Sequence, residues 1–176
     1  MQWNPKWTLV GVGSLVLSAA LSVPNAVRAT PASGFSGVTT AVGRFEELDV
    51  LNHAFPYDFG EAQVDRWMSA QKTKGPSDVY VQSNVWQPGG YTGWHTHPGH
   101  SLIIVTFGTI TVYDGQDPSC AARTYTVGQG FVDEGGDHVH LIANEDPALE
   151  ARTIAVQITP AGATRRVDAA APAACL

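Results

Sequence analysis

Six histidines occur in the 176 residues, and five of them fall in two short clusters. His95, His97 and His100 lie in GWHTHPGHSLIIVTFG, and His138 and His140 lie in GDHVHLIAN. A neutral imidazole offers one lone pair and is the commonest protein ligand for zinc and related divalent metals. Residues two apart on a strand share a face, so His95 projects with His97 and His138 with His140. If the two segments oppose one another in a closed β-structure, three or four imidazoles converge on one cation. One such histidine would be read as a surface hydrogen-bonding group; two His-x-His pairs favour convergence.

The elements around these pairs read as short strands. After GPSD, Gly75 to Asp78, the stretch VYVQSNVWQ is rich in β-formers and ends at the PGG turn of residues 88 to 90. SLIIVTF is a continuous apolar run, too short for a buried helix, so it is expected as a buried strand. TITVYDG, ARTYTV, GFVDEGG, HVHLIAN and ARTIAVQIT follow, each bounded by Gly, Pro, Asp or Asn. Strands at this spacing without helical periods between them imply an all-β fold, an antiparallel sandwich or barrel. Phe107, Tyr113, Tyr125 and Phe131 are expected in its core. Trp86, Trp94 and Tyr91 flank the first histidine cluster and either line a pocket or fill the core. Asn144 reads as a structural residue holding the turn into NEDPALE.

The beginning of the chain has the layout of a secretory signal peptide: Lys6, an apolar run from about Thr8 to Val23, Pro24, then Val27-Arg28-Ala29. The run is interrupted by Gly and Ser and is short for a span of roughly 20 apolar residues, so cleavage after Ala29 is favoured over an anchor. The expected locale is secreted or periplasmic, with no membrane association after cleavage. Residues 30–43, rich in Thr, Ser, Gly and Pro, read as a flexible linker, and residues 44–74 as an N-terminal extension. Within that extension EAQVDRWMSAQKTKG fits either a short helix or an edge strand. Residues 75–160 form the domain proper and 161–176 a tail.

Cleavage removes Lys6 and Arg28 from the ten basic residues and none of the sixteen acidic ones. The resulting acidic balance argues against nucleic acid as a partner, because phosphate neutralisation dominates such binding. Cys120, in a polar loop, and Cys175, near the C-terminus, are readable as one disulfide in an exported chain, against the alternative of two free thiols.

Gly90-x4-His95-x-His97-x3-Ser101-x6-Gly108 resembles the first signature of the cupin superfamily, and Gly128-x11-His140-x3-Asn144 the second. The resemblance covers about residues 79 to 160. It implies a single cupin jelly-roll β-barrel (an RmlC-like antiparallel double sheet) holding one divalent metal through three histidines and a glutamate. Carried over by motif, His95 and His97 match the first two ligands and His140 the third. His138 competes, because EGGDH resembles the turn that leads into the ligand in many cupins. Ser101 stands where the family has its glutamate, which leaves a three-histidine site with His100 or Ser101 near the missing donor. Asp133, Glu134 and Asp137 are the acids near the second motif, and none has the matching spacing.

Three neutral donors leave the dipositive charge on the metal and open positions for water, substrate or dioxygen. Fe, Zn, Mn and Ni all suit such a set. Two functions follow: a metal-dependent enzyme of dioxygenase or isomerase type acting on a small organic molecule, or a non-catalytic module binding a small ligand or metal. No catalytic residue is assigned; Glu134 and Asp133 are the candidate bases. Arg165-Arg166 reads as a solvated basic pair. The family tends to pair barrels, so a homodimer is expected to be compatible with this chain.

Overall fold

The computed structural model describes Met1 and residues 29–54, 57–59, 62–64 and 67–176. The expected signal segment therefore lies, except for its two end residues, outside the described residues. Among the described residues fourteen strands follow one another, the first seven being β1 (Ser33–Phe45), β2 (Asp49–Ala54), β3 (Tyr57–Phe59), β4 (Ala62–Val64), β5 (Trp67–Lys72), β6 (Ser77–Tyr91) and β7 (His95–Thr96). The second half comprises β8 (Ser101–Phe107), β9 (Thr109–Asp114), β10 (Arg123–Thr126), β11 (Gly130–Asp133), β12 (His140–Ala143), β13 (Ala151–Pro160) and β14 (Val167–Asp168). A single 3-10 turn, Ala173–Cys175, ends the chain. Among the described residues no helix is long and apolar enough to cross a membrane.

Ten strands make one sheet in the order β10-β9-β12-β6-β13-β8-β11, with β1 on β6 and β14 on β7, and it curls into a nearly closed antiparallel barrel. The strand spacing leaves a sandwich or a barrel open; the architecture is the barrel that the motif resemblance implies. β6 is its axis: residues 77–86 pair with β1 on one side and β13 on the other, and Tyr91 reaches β12. Residues 30–43, expected as a linker, instead supply most of β1. Their pattern hides the strand, because Val38 and Val42 face solvent and the segment is held by the backbone ladder to β6. The extension is strand rather than helix, with β2 paired to β5 and β3 to β4 in two small separate sheets.

Alternation decides what the barrel contains. On β8 Ser101, Ile103 and Val105 point inward, while Leu102 and Ile104 are each 51% exposed. The apolar run is therefore half outside, and Phe107, expected in the core, lies exposed at its end. Trp86, Ile103, Val105, Ile110, Phe131, Ile142, Ala151 and Ala155 form the buried cluster, with Phe35 and Tyr125 packed against it. Register separates this apolar end from a polar one. Trp86 pairs with Ala151, whereas six residues along β13 Gln157 pairs with both Tyr80 and Ser101. A hydrophobic floor thus supports a polar mouth. Trp86 is 1% exposed and stacks against Phe35 at 4.9 Å; it is core, as is buried Trp94.

The tail folds back across the mouth. β14 pairs with β7, setting Asp168 opposite His95, and the Ala169 amide donates to the Trp94 carbonyl at 3.0 Å. A Cys120–Cys175 disulfide, with Cα atoms 5.4 Å apart, fastens the end of this strap to the loop after β9.

Candidate metal centre

His95 stands on β7 and His140 opens β12, and the two are direct partners in the ladder. His97 follows β7 by one residue. The ring centroids lie 4.8 Å apart for His95 and His97, 4.3 Å for His95 and His140, and 5.6 Å for His97 and His140. One ligand atom from each ring falls within 4.8 Å of the other two.

Backbone carbonyls orient all three rings. His95 Nδ1 is 2.9 Å from the Gly93 carbonyl, His97 Nδ1 bonds the Arg165 carbonyl, and His140 Nδ1 is 3.4 Å from the His138 carbonyl. A carbonyl only accepts, so a proton on Nδ1 satisfies each contact; His95 and His140 then keep the lone pair on Nε2, whereas His97 Nε2 also faces the acceptor-only carboxylate of Asp133 at 3.2 Å. Such a partner on the far nitrogen is the arrangement that fixes tautomer and ring angle in metal-binding histidines. The Nε2 of His140 is buried without a hydrogen-bond partner. A buried polar atom left so is costly unless something absent from the protein atoms completes it. Burial, with His140, Arg166 and His97 nearby, pushes the His95 ring down to about 2. Burial likewise lowers His140, against the opposing pull of Asp133. Both rings are thus held neutral, as ligation requires.

His138 does not join them. β12 begins only at His140, so the shared-face rule does not extend back to residue 138, which sits in the preceding turn. Its Nε2 faces Glu134 at 3.1 Å on a partly exposed surface. Glu134, paired with it, is an exposed side chain. His100 also points elsewhere, lining a cleft with Lys72, Pro98 and Pro160 between the barrel and the β2–β5 ribbon.

Asp133 supplies the carboxylate that motif spacing failed to find. It pairs directly with Ser101 across β11 and β8, and the Ser101 hydroxyl lies 3.5 Å from its Oδ2. The same oxygen is 3.2 Å from His97 Nε2, and Oδ1 is 3.4 Å from His140 Nδ1. Its side chain is 2% exposed. The Gly135 amide also donates to Oδ1 at 3.1 Å. Gly135 has φ +67, and a Cβ there would sit 2.2 Å from the Gly99 carbonyl oxygen, so the turn that returns the chain past Asp133 requires glycine.

A cavity of about 280 Å³ opens in front of His95 and His97. Phe35, Gln82, Asn84, Gln157, Arg165 and Arg166 contribute to its lining; Trp86, Trp94 and Tyr91 do not. Four of these came from segments where the sequence offered no chemical motif. Both arginines of the tail, expected to be solvated, face this cavity. Asn144 has the structural role expected of it, donating to the carbonyls of Leu149 at 2.7 Å and Gln87 at 3.1 Å.

No protein-family model matches the sequence, and no curated protein does. Among solved structures, the chain is similar to a cupin-like protein from Thermotoga maritima, at 26% identity over 53% of this chain and 65% of that one, with TM-score 0.45. It is similar also to the polyketide cyclase RemF from Streptomyces resistomycificus, at 17% identity over 55% and 65%, with TM-score 0.43. A third is the DMSP lyase DddQ from Ruegeria pomeroyi, at 16% identity over 51% and 42%, with TM-score 0.43. The chain spans less than two thirds of each of these structures. The nearly closed antiparallel barrel, with His95, His97 and His140 meeting inside it, fits the cupin superfamily that the two sequence motifs resemble.

Proposed function

We propose that this is an exported metal-binding cupin-type protein that holds one divalent cation and acts on, or binds, a small organic molecule. The observation that carries the reading is the convergence of His95, His97 and His140, whose ligand atoms lie within 4.8 Å of one another, whose Nδ1 atoms contact backbone carbonyls, and one of which has its Nε2 buried without a partner. His95, His97 and His140 are the ligands in this reading, and Asp133 stands in for the family glutamate. Iron, zinc, manganese and nickel all suit such donors. A bound divalent ion would supply Lewis-acid polarisation of an oxygen on the ligand. The protein's own contribution is to keep the His95 and His140 rings neutral, to offer a buried carboxylate at their edge, and to shelter the site behind the tail.

Asp133 favours an enzyme of oxygenase or isomerase type over a passive binder, because it is a buried carboxylate beside the three histidines. A non-catalytic ligand- or metal-binding module is the alternative. Elemental analysis of gently purified protein tests the first claim: about one metal per chain is expected, falling to background in a His95→Ala/His97→Ala variant. Background metal in the parent protein would overturn it. Oxygen-consumption and isomerisation screens over small carboxylates, with Asp133→Asn as control, then separate enzyme from binder.

A homodimer is part of the same proposal. Leu102, Ile104 and Val132 lie side by side on the outer face of β8 and β11, and all three are exposed. Light scattering at two protein concentrations tests it, with Ile104→Lys expected to yield monomer.

A further inference from the structure

The charges lining the cavity do not balance locally. Arg166 is committed: its Nε pairs with Asp168 and its Nη2 donates to the Thr92 carbonyl at 2.7 Å. Arg165 has no such counter-ion. Its Nε donates to Gln157 Oε1 at 2.8 Å, its Nη1 to Thr39 Oγ1 at 2.9 Å and its Nη2 to Gln82 Oε1 at 2.8 Å. All three acceptors are neutral, and among the described residues no carboxylate lies within 4.0 Å of the guanidinium. Its plane rests over the Tyr80 ring at 4.1 Å. Three bonds and a stacked ring hold the group in one orientation, yet two of its five N–H donors remain uncommitted. Burial lowers its pKa, the expected penalty for a desolvated cation. A fixed, partly desolvated guanidinium with spare donors is preorganised to receive a planar anion through paired N–H bonds.

We propose that the cavity takes a small organic carboxylate, with its carboxylate group on Arg165 and its body against Phe35, Ile103 and Ile142. Those three side chains supply the apolar lining, and Gln82 and Gln157 aim the guanidinium. One uncommitted cation with two free donors matches a single carboxylate better than a dianionic phosphate, whose charge Asp133 would oppose. The opposite end of the ligand then reaches toward His95 and His97, which line the same cavity. The proposal deepens the function given above. It rests on the metal only for what happens at the histidine end, so anion capture is testable without metal.

The test is calorimetric titration of the full chain, metal-stripped and zinc-loaded, with benzoate and hexanoate, with benzamide and hexanamide, and with inorganic phosphate. At least one acid is expected to bind saturably to the metal-stripped form, with its amide and phosphate weaker by at least about tenfold. Arg165→Gln should lose the acid by a similar factor, and Arg165→Lys should keep part of it. Should Arg165→Gln fail to fold, the acid-against-amide contrast on the parent protein decides. No saturable binding of either acid, equal binding of acid and amide, phosphate binding as tightly as the acids, or unchanged binding by a folded Arg165→Gln would each overturn the proposal. Background metal in the gently purified parent protein, with acid binding intact, would overturn the metal reading and leave this one standing.

Discussion

Asp133 lies directly across the β8–β11 pair from Ser101, and its Oδ2 sits 3.2 Å from the Nε2 of His97. The motif position that carries a glutamate in the family is therefore a serine here, while the neighbouring strand delivers a carboxylate to the same face of the barrel. Two residues adjacent in a ladder can exchange such a duty because their Cβ atoms point the same way and stand about 5 Å apart.

Asp133→Asn removes that charge while keeping shape, and we expect metal affinity to fall about 10–100-fold, as loss of a supporting or ligating group does. Competition with a chromophoric chelator measures it. Transferring the carboxylate in Asp133→Ser/Ser101→Glu should recover much of the loss. Unchanged affinity in Asp133→Asn would remove the carboxylate from the site.

His140 and His138 are two residues apart and should respond oppositely. His140→Ala is expected to weaken metal binding at least about tenfold. His138→Ala should leave the stoichiometry that of the parent, since its ring is engaged by Glu134 at the surface. Elemental analysis of both variants after the same purification is the check. Equal loss in the two would contradict the geometry.

The disulfide closes a separation of 55 residues, for which chain entropy alone would contribute roughly 4 kcal/mol. Urea unfolding of a Cys120→Ser/Cys175→Ser variant should show a loss of that order at most. The strap it fastens carries the carbonyl that orients His97 and the guanidinium of Arg165. Metal affinity should therefore fall as well, by a smaller factor. A variant as stable as the parent would mean that the β14–β7 pairing holds the strap unaided.

Arg44 makes a two-pronged contact with Asp78, Nε to Oδ1 and Nη2 to Oδ2, each at 2.8 Å. That guanidinium, helped by the Gly162 amide, holds the Asp78 carboxyl down at about 2, against an ordinary value of 3.8. A depressed carboxyl stabilises the fold fully above its unfolded value and loses that contribution as pH falls through the folded one. The loss should therefore run from about pH 4 to about pH 2. Urea midpoints across this range should fall more steeply for the parent than for Asp78→Asn. Parallel curves would show that the pair does not govern acid stability.

Much of the barrel could be read directly because its signals are local. Strand period two put His95 and His97 on one side, and turn residues at regular spacing marked the strands. Segments whose stability comes from a distant partner could not be read. β1 has no buried apolar stripe of its own; it is a strand because β6 offers it a free edge. The choice between His138 and His140 depended on where β12 starts, which the turn through Gly135 and Gly136 decides.

From its amino-acid order alone, the chain determined an all-β fold of short strands and a His-x-His pair on one face, since each depends on spacing within a few residues. Folding in three dimensions decided the rest. It placed Asp133 beside Ser101 through strand register, drew Arg165 onto the cavity by returning the tail, and turned His100 and His138 away. Those outcomes depend on which residues become neighbours across tens of positions, and no local pattern encodes that adjacency.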